Sequence, residues 1–173
     1  MIIGLTGKAR SGKDTLAKHL EETHGYHHYW FSKPMKDACH HIFGWDDRHL
    51  YGELKEVVDS RYGVSPRYAL QTIGTQWGRD IINRDLWLLR AKEEIRLNKD
   101  IVISDVRFDN EAEMILEQGG LVINIVRPDA QQVNEHESES GIDASLVSFT
   151  VENDRTIEDM FRDFDYVMFG GGE

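Results

Sequence analysis

The chain has 173 residues, one cysteine (Cys39) and a formal net charge of −11. That length suits one compact domain, residues 1–173, and a lone thiol excludes a disulfide framework or a cysteine-built zinc site. The acidic balance argues against general affinity for nucleic acid polymers, and no run of 18 apolar residues is present to cross a membrane.

The apolar run Ile2-Ile3-Gly4-Leu5 predicts a first strand, Ile2 to Thr6. The fold is entered at once, so no signal or transit peptide is expected and a cytoplasmic location follows. Directly afterwards, Gly7-Lys8-Ala9-Arg10-Ser11-Gly12-Lys13 completes the pattern G-x-x-x-x-G-K, with Asp14 where Ser or Thr is usual and Thr15 one place later. Gly7 and Gly12 permit backbone angles that turn successive N–H groups inward around phosphate oxygens. Lys13 adds positive charge near the bridging and terminal phosphates. A helix from Lys13 to His24 points its positive end at them. Strand, glycine loop and helix in this order predict a site for a nucleoside triphosphate.

That helix carries Leu16, Ala17 and Leu20 on one face and stops at Gly25. Tyr26 to Phe31 reads as a second strand. Ser32 and Pro34 then open a helix to about Phe43, in which Met35, Ala38, Cys39 and Ile42 make Cys39 a core thiol. A polar helix over Arg48 to Asp59, a loop to Pro66, a long helix from Pro66 to Ile82 and another from Asp85 to Leu97 follow. Ile101 to Asp105 is a buried strand, apolar without alternation and ending in a carboxylate. Asn110 to Gln118 is helical and closed by Gly119-Gly120. Leu121 to Val126 is a further buried strand, stopped by Arg127-Pro128. Residues 129–143 are polar and read as a mobile loop or lid, with about 128–143 as its full extent. Val147 to Val151 is the last strand, Thr156-Ile157-Glu158-Asp159 caps a final helix, and the Gly170-Gly171-Gly172 tail reads as frayed. The alternation predicts a three-layer α/β fold of the P-loop NTPase kind, a mainly parallel sheet covered by helices.

Charge follows this division. Residues 1–99 hold 16 Lys+Arg against 13 Asp+Glu, and residues 100–173 hold 4 against 18. Asp105, at a strand end in a phosphate-loop protein, is placed to hold magnesium directly or through water, and Arg107 lies two residues on. Within the helix from Pro66, residues Arg67, Gln71, Thr75 and Arg79 recur every four positions as one polar stripe. Two arginines with an amide and a hydroxyl between them suit a monophosphate and a base edge. Leu70, Ile73, Trp77 and Ile81 form an apolar face expected to pack on the core. Gly74 and Gly78 interrupt the helix, as glycines do where something approaches the backbone closely. Ser32, Lys33 and Lys36 mark another candidate anion site. Tyr68 and Trp87 are candidates to stack on a base. The eight histidines show no metal-ligand spacing: His27-His28 and His40-His41 are adjacent pairs whose rings point apart, so all are read as structural or exposed.

Taken together, the chain resembles the bacteriophage deoxynucleoside monophosphate kinase family. The likeness runs through Gly7 to Thr15, Ser32 to Ala38, Gln71 to Thr75 with Arg79, Ser104 to Ala112, His136 to Glu139 and Asn153 to Thr156. Asp14 after the lysine is part of it. The resemblance implies transfer of the γ-phosphoryl group of ATP to the 5′-phosphate of a deoxynucleoside monophosphate, with Mg2+. Gly7, Ala9, Arg10, Ser11, Gly12, Lys13, Asp14 and Thr15 would bind ATP, with Asn153 and Arg155 near its adenine. Arg10, Ser32, Lys33, Lys36, Arg67, Tyr68, Gln71, Gly74, Thr75, Arg79, Trp87, Asp105 and Arg107 would bind the acceptor, within a helical region of about 34–98. Lys13, Asp105, Arg107 and Arg127 would serve catalysis, and Asp14, Thr15 and Asp105 the magnesium ion. Arg155 is a further candidate for transition-state charge. Two other readings stand beside this one. The first is a different small-molecule kinase of the same fold, acting on dephospho-coenzyme A or phosphomevalonate. The second is a GTP-binding regulatory switch, for which Asn98-Lys99-Asp100-Ile101 has its acid misplaced and Asp105-Val106-Arg107-Phe108 lacks the glycine. A homodimer is left open.

Overall fold

The computed structural model describes residues 1–128 and 141–170. The chain divides into two compact units, one formed by Met1–Trp30 with Glu93–Glu173 and the other by Phe31–Lys92.

The first unit is built on a five-stranded parallel sheet. Its strands are β1 (Ile2–Thr6), β2 (His27–Tyr29), β3 (Ile101–Ile103), β4 (Leu121–Val126) and β5 (Phe149–Glu152), in the order β2-β3-β1-β4-β5. β1 is central, with Ile3 facing Val102 of β3 on one side and Leu121 of β4 on the other. Parallel strands need crossovers, and helices supply them. α1 (Lys13–His24) joins β1 to β2, α6 (Asp109–Glu117) joins β3 to β4, and α7 (Ile157–Phe169) follows β5. The core of this unit is aliphatic and aromatic: Ile3, Leu5, Leu16, Leu20, Val102, Ile123, Ile125, Met160 and Phe164 are all fully buried or within 1% of it. Thr156 and Asp159 cap α7 reciprocally, as their spacing predicts. β2 is shorter than the run Tyr26 to Phe31, and β3 ends at Ile103, so Ser104 and Asp105 stand just beyond the ladder. Most of the lid prediction, with His136 to Glu139, and the tail from Gly171 lie outside the described residues.

The second unit is helical. It contains α2 (Lys33–Phe43), α3 (Asp47–Leu50), α4 (Pro66–Gln71) and a π-helical segment (Thr72–Ile82), and most of α5 (Leu86–Leu97). Cys39, Trp45, Leu50 and Ala69 form its core. Two expectations are corrected here. The polar stretch Arg48 to Asp59 is not a helix: Asp46 caps one turn, and the chain then runs through tight turns to an isolated bridge between Asp59 and Val64. Gly52, a poor helix former, falls four residues into the stretch, and the helix does not continue past it despite the helical spacing of Leu50, Leu54 and Val57.

The helix from Pro66 to Ile82 is also not a single α-helix. From Thr72 onward it closes i→i+5 hydrogen bonds, as in Asn83 N–H to the Gly78 carbonyl at 2.9 Å. Eleven π-helical residues in a row are rare. The change of winding breaks the assumed faces. Leu70 and Ile73 pack against the unit's core, but Trp77 is 48% exposed and Ile81 is 72% exposed, so only the first half of the predicted apolar stripe packs. Gly74 and Gly78 are buried instead. A Cβ on Gly74 would stand 2.8 Å from Met35 Sδ, and one on Gly78 would stand 2.7 Å from the Trp87 ring. Trp87 Nε1 donates to the Gly74 carbonyl at 2.8 Å. The close approach that the glycines predict is thus made by this unit's own Met35 and Trp87.

Candidate active site

The phosphate loop hangs between the carboxyl end of β1 and the first turn of α1. Gly7 has φ +132° and Gly12 has φ +112°, angles that side chains resist. Space also forbids one: a Cβ on Gly7 would lie 2.3 Å from the Ile125 carbonyl oxygen. Arg10, at φ +63°, is the one non-glycine residue with positive φ among the described residues, a conformation costing roughly 1–2 kcal/mol. The Lys13 ammonium donates to the carbonyls of Gly7 and Lys8, both at 2.7 Å, closing the loop into a ring.

The loop is braced from behind. Asn153, just after β5, is buried and donates its Nδ2 to the Ser11 carbonyl at 2.9 Å. Predicted near the adenine, Asn153 is placed by the structure as a strut under the loop. The Ser11 hydroxyl is buried without a hydrogen-bond partner among the described residues. Arg155, two residues on, is ringed by Asp154 at 3.6 Å, Asp159 at 3.8 Å and Asp163, so much of its charge is already matched.

Past β3, the segment Asp105 to Phe108 is shaped by Glu111, which sequence reasoning passed over. Its buried carboxylate accepts from the backbone N–H of Arg107 at 2.8 Å and of Phe108 at 3.2 Å. The signal was available: an acid three residues after a helix start reaches back to the N-cap. Asp105 is half-buried and Arg107 exposed. On β2, His28 bonds the Ser104 hydroxyl at 2.8 Å. Burial pushes its pKa down, while the carboxylates of Glu21, Asp14 and Asp105 pull the other way. Asp14 and Asp105 therefore act on one common ring. Asp14, Thr15 and Asp105 would offer Mg2+ the oxygen donors it prefers.

A cavity of about 610 Å3 opens at the carboxyl ends of β1, β3 and β4 and beside β5. It lies within the roughly 300–1,000 Å3 usual for small-molecule sites. Gly7, Ala9, Lys13, Arg107 and Arg127 all line it, so the three predicted catalytic cations meet in one space. Asp105, Asp14, Thr15, Asn153 and Arg155 are not in its wall.

The other predicted acceptor residues belong to the helical unit. Gln71, Thr75 and Tyr68 are exposed, and Arg67 and Arg79 are half-buried. Arg67 pairs with Glu56, Lys33 with Asp37 at 2.9 Å, and the Lys36 ammonium lies 3.9 Å over the Tyr51 ring. Ser32 stands at the N-cap of α2. Trp87 is 7% exposed and serves packing. Arg67 and Gln71 lie in α4 but Thr75 and Arg79 in the π-helical segment, so a four-residue spacing does not describe one stripe throughout.

A parallel sheet in this order, with a lysine-closed glycine loop after its central strand, defines the P-loop fold of small-molecule kinases. Solved structures agree at the level of fold. Shikimate kinase from Aquifex aeolicus superposes with a TM-score of 0.57 at 16% identity, covering 99% of this chain and 100% of that one. Dephospho-CoA kinase from Campylobacter jejuni gives 0.53 at 13%, covering 97% and 95%. The family profile for deoxynucleotide monophosphate kinase matches residues 47–164. A protein of Acanthamoeba polyphaga mimivirus, provisionally named deoxynucleotide monophosphate kinase, is 35% identical over 93% of this chain and 92% of its own length. The deoxynucleoside-5′-monophosphate kinase of Escherichia phage T5 is 35% identical over 60% of this chain and 45% of its own. The chain belongs to the deoxynucleotide monophosphate kinase family. No helix among the described residues is long and apolar enough to cross a membrane.

Proposed function

We propose that this protein transfers the γ-phosphoryl group of ATP to the 5′-phosphate of a deoxynucleoside monophosphate, giving the diphosphate for DNA synthesis in the cytoplasm of a host cell. The observation that carries the reading is the meeting of Lys13, Arg107 and Arg127 around one cavity behind a phosphate loop. Membership of the family supplies the substrate class.

The loop's inward N–H groups take the β- and γ-phosphates, and Lys13 exchanges its carbonyl partners for phosphate oxygens. Asp14, Thr15 and Asp105 would hold Mg2+, directly or through water, and the ion would supply positive charge against the phosphates. Arg107 and Arg127 offset the charge that spreads over the transferring group. Little acid–base chemistry is needed, because the acceptor phosphate is already an anion, so alignment and charge carry the catalysis. Arg10 stands at the crest of the loop. In the helical unit, Ser32, Lys33, Lys36, Arg67 and Arg79 supply cations and a helix start for the acceptor phosphate. Gln71 and Thr75 supply hydrogen bonds for a base, with Tyr68 beside them.

A coupled assay of ADP release against a panel of deoxy- and ribonucleoside monophosphates tests this. Turnover with at least one deoxynucleotide is expected to exceed that with its ribose counterpart. Turnover with none of the panel would remove the assignment.

A further inference from the structure

On α1 and α7, away from the residues assigned to catalysis, three side chains converge that sequence spacing did not connect. His19 Nε2 lies 2.9 Å from Asp165 Oδ2, and His24 Nε2 lies 3.1 Å from Asp165 Oδ1. One ligand atom from each residue can be chosen so that all lie within 4.8 Å of one another. Zinc bonds to imidazole nitrogen and carboxylate oxygen of about 2.0–2.2 Å set neighbouring tetrahedral ligands a little over 3 Å apart. The hydrogen-bonded cluster is therefore close to a coordination shell already.

The rings are also held in place. His19 stacks on Phe161 with centroids 4.0 Å apart and planes 8° apart, and His24 stacks on Phe169 at 4.3 Å. Thr23 Oγ1 is 3.3 Å from His19 Nδ1, where it can accept from that nitrogen once Nε2 binds a metal. All three groups are partly buried, with side-chain exposures of 12% for His19, 25% for His24 and 31% for Asp165. Water can reach a fourth position.

We infer that His19, His24 and Asp165 form a binding site for a zinc-type divalent transition ion, which pins α1 to α7. Two imidazoles and a carboxylate suit such an ion, whereas Mg2+ prefers oxygen alone. A neutral ring that binds the ion through Nε2 carries its single proton on Nδ1, and a ring that starts as imidazolium releases one proton to solvent. The ion joins the helix that starts at Lys13 to the helix that follows Asn153, the strut beneath Ser11. It acts as a brace on the phosphate loop's two supports.

Thermal unfolding of the purified chain, stripped with chelator and titrated with zinc chloride, tests the site. At a hundredfold excess over Kd, Tm is expected to rise by about 5–10 °C, with reversal by EDTA. Excess MgCl2 is expected to give no comparable rise through this site. The zinc-dependent rise is expected to vanish in His24→Ala and in Asp165→Asn, each checked for native circular dichroism. No rise in the wild type, or a rise unchanged in both variants, would overturn the inference. X-ray absorption of the zinc-loaded wild type reads the ligands without any variant. A shell of two imidazoles with oxygen supports the site, and a shell with one imidazole or none sinks it.

Discussion

Gly78→Ala puts the reading of the π-helical segment at risk in a simple way. In an exposed helix this change stabilises by about 1 kcal/mol, because glycine is a poor helix former. Here the new methyl would stand 2.7 Å from Trp87 Cζ2 and 2.9 Å from the Ile73 carbonyl oxygen. The first neighbour is a buried ring and the second is backbone, so neither yields cheaply. Overpacking of this kind costs about 1–3 kcal/mol. Moving Trp87 also endangers its 2.8 Å bond to the Gly74 carbonyl, and a buried group left unpaired costs about 1–3 kcal/mol more. Clash and lost bond together outweigh the propensity gain, for a net loss of about 2–4 kcal/mol. Urea unfolding followed by circular dichroism would show the midpoint lowered by about 1–2 M. Trp87→Phe in the same chain should recover part of the loss, since it removes the ring edge but leaves the Ile73 carbonyl. Gly25→Ala provides the contrast: nothing lies within 4 Å of its site, so only the strain of φ +72° is felt, about 1 kcal/mol. A Gly78→Ala variant as stable as the parent would refute the packing argument.

Lys13→Ala should fold normally and lose several orders of magnitude in phosphoryl transfer, since stabilisation of charge on the transferring group is worth roughly 3–5 kcal/mol; single-turnover kinetics would show it. Asn153→Ala removes the buried donor to the Ser11 carbonyl and should weaken ATP binding about tenfold while sparing acceptor affinity, measured by calorimetry with each ligand. Burial pushes the Cys39 thiol up to about 11, so at pH 8 the native protein should resist thiol reagents until denaturant is added; rapid labelling of native protein would contradict that placement.

What could be read from sequence was what neighbouring residues decide. The run Ile2 to Leu5, the glycines at 7 and 12 and the four-residue spacing of Leu16 and Leu20 act within a few positions. β1, the loop and α1 were accordingly legible to the residue. The π-helical segment was not, because a four-residue repeat looks the same in either winding, and the close approach of Met35 and Trp87 to Gly74 and Gly78 does not show in it. The strut from Asn153 to Ser11 spans 142 positions in the chain, and the link between His19 and Asp165 spans 146. No local pattern encodes either. Glu111 differs: its place three residues after Phe108 is a local signal, that of an acid reaching back to a helix start.

The placement of β1 has a bearing on how the chain is made. Its neighbours in the sheet are β3 and β4, and the first of these begins at Ile101. At ribosomal rates of about 5–20 residues per second, β1 waits roughly 5–20 s before either partner exists. Phe31–Lys92, by contrast, is continuous in sequence and is complete before β3 emerges. The helical unit can therefore assemble while β1 still lacks its partners, and Ile2, Ile3 and Leu5 spend that interval as unpaired apolar edge, a stretch open to a chaperone.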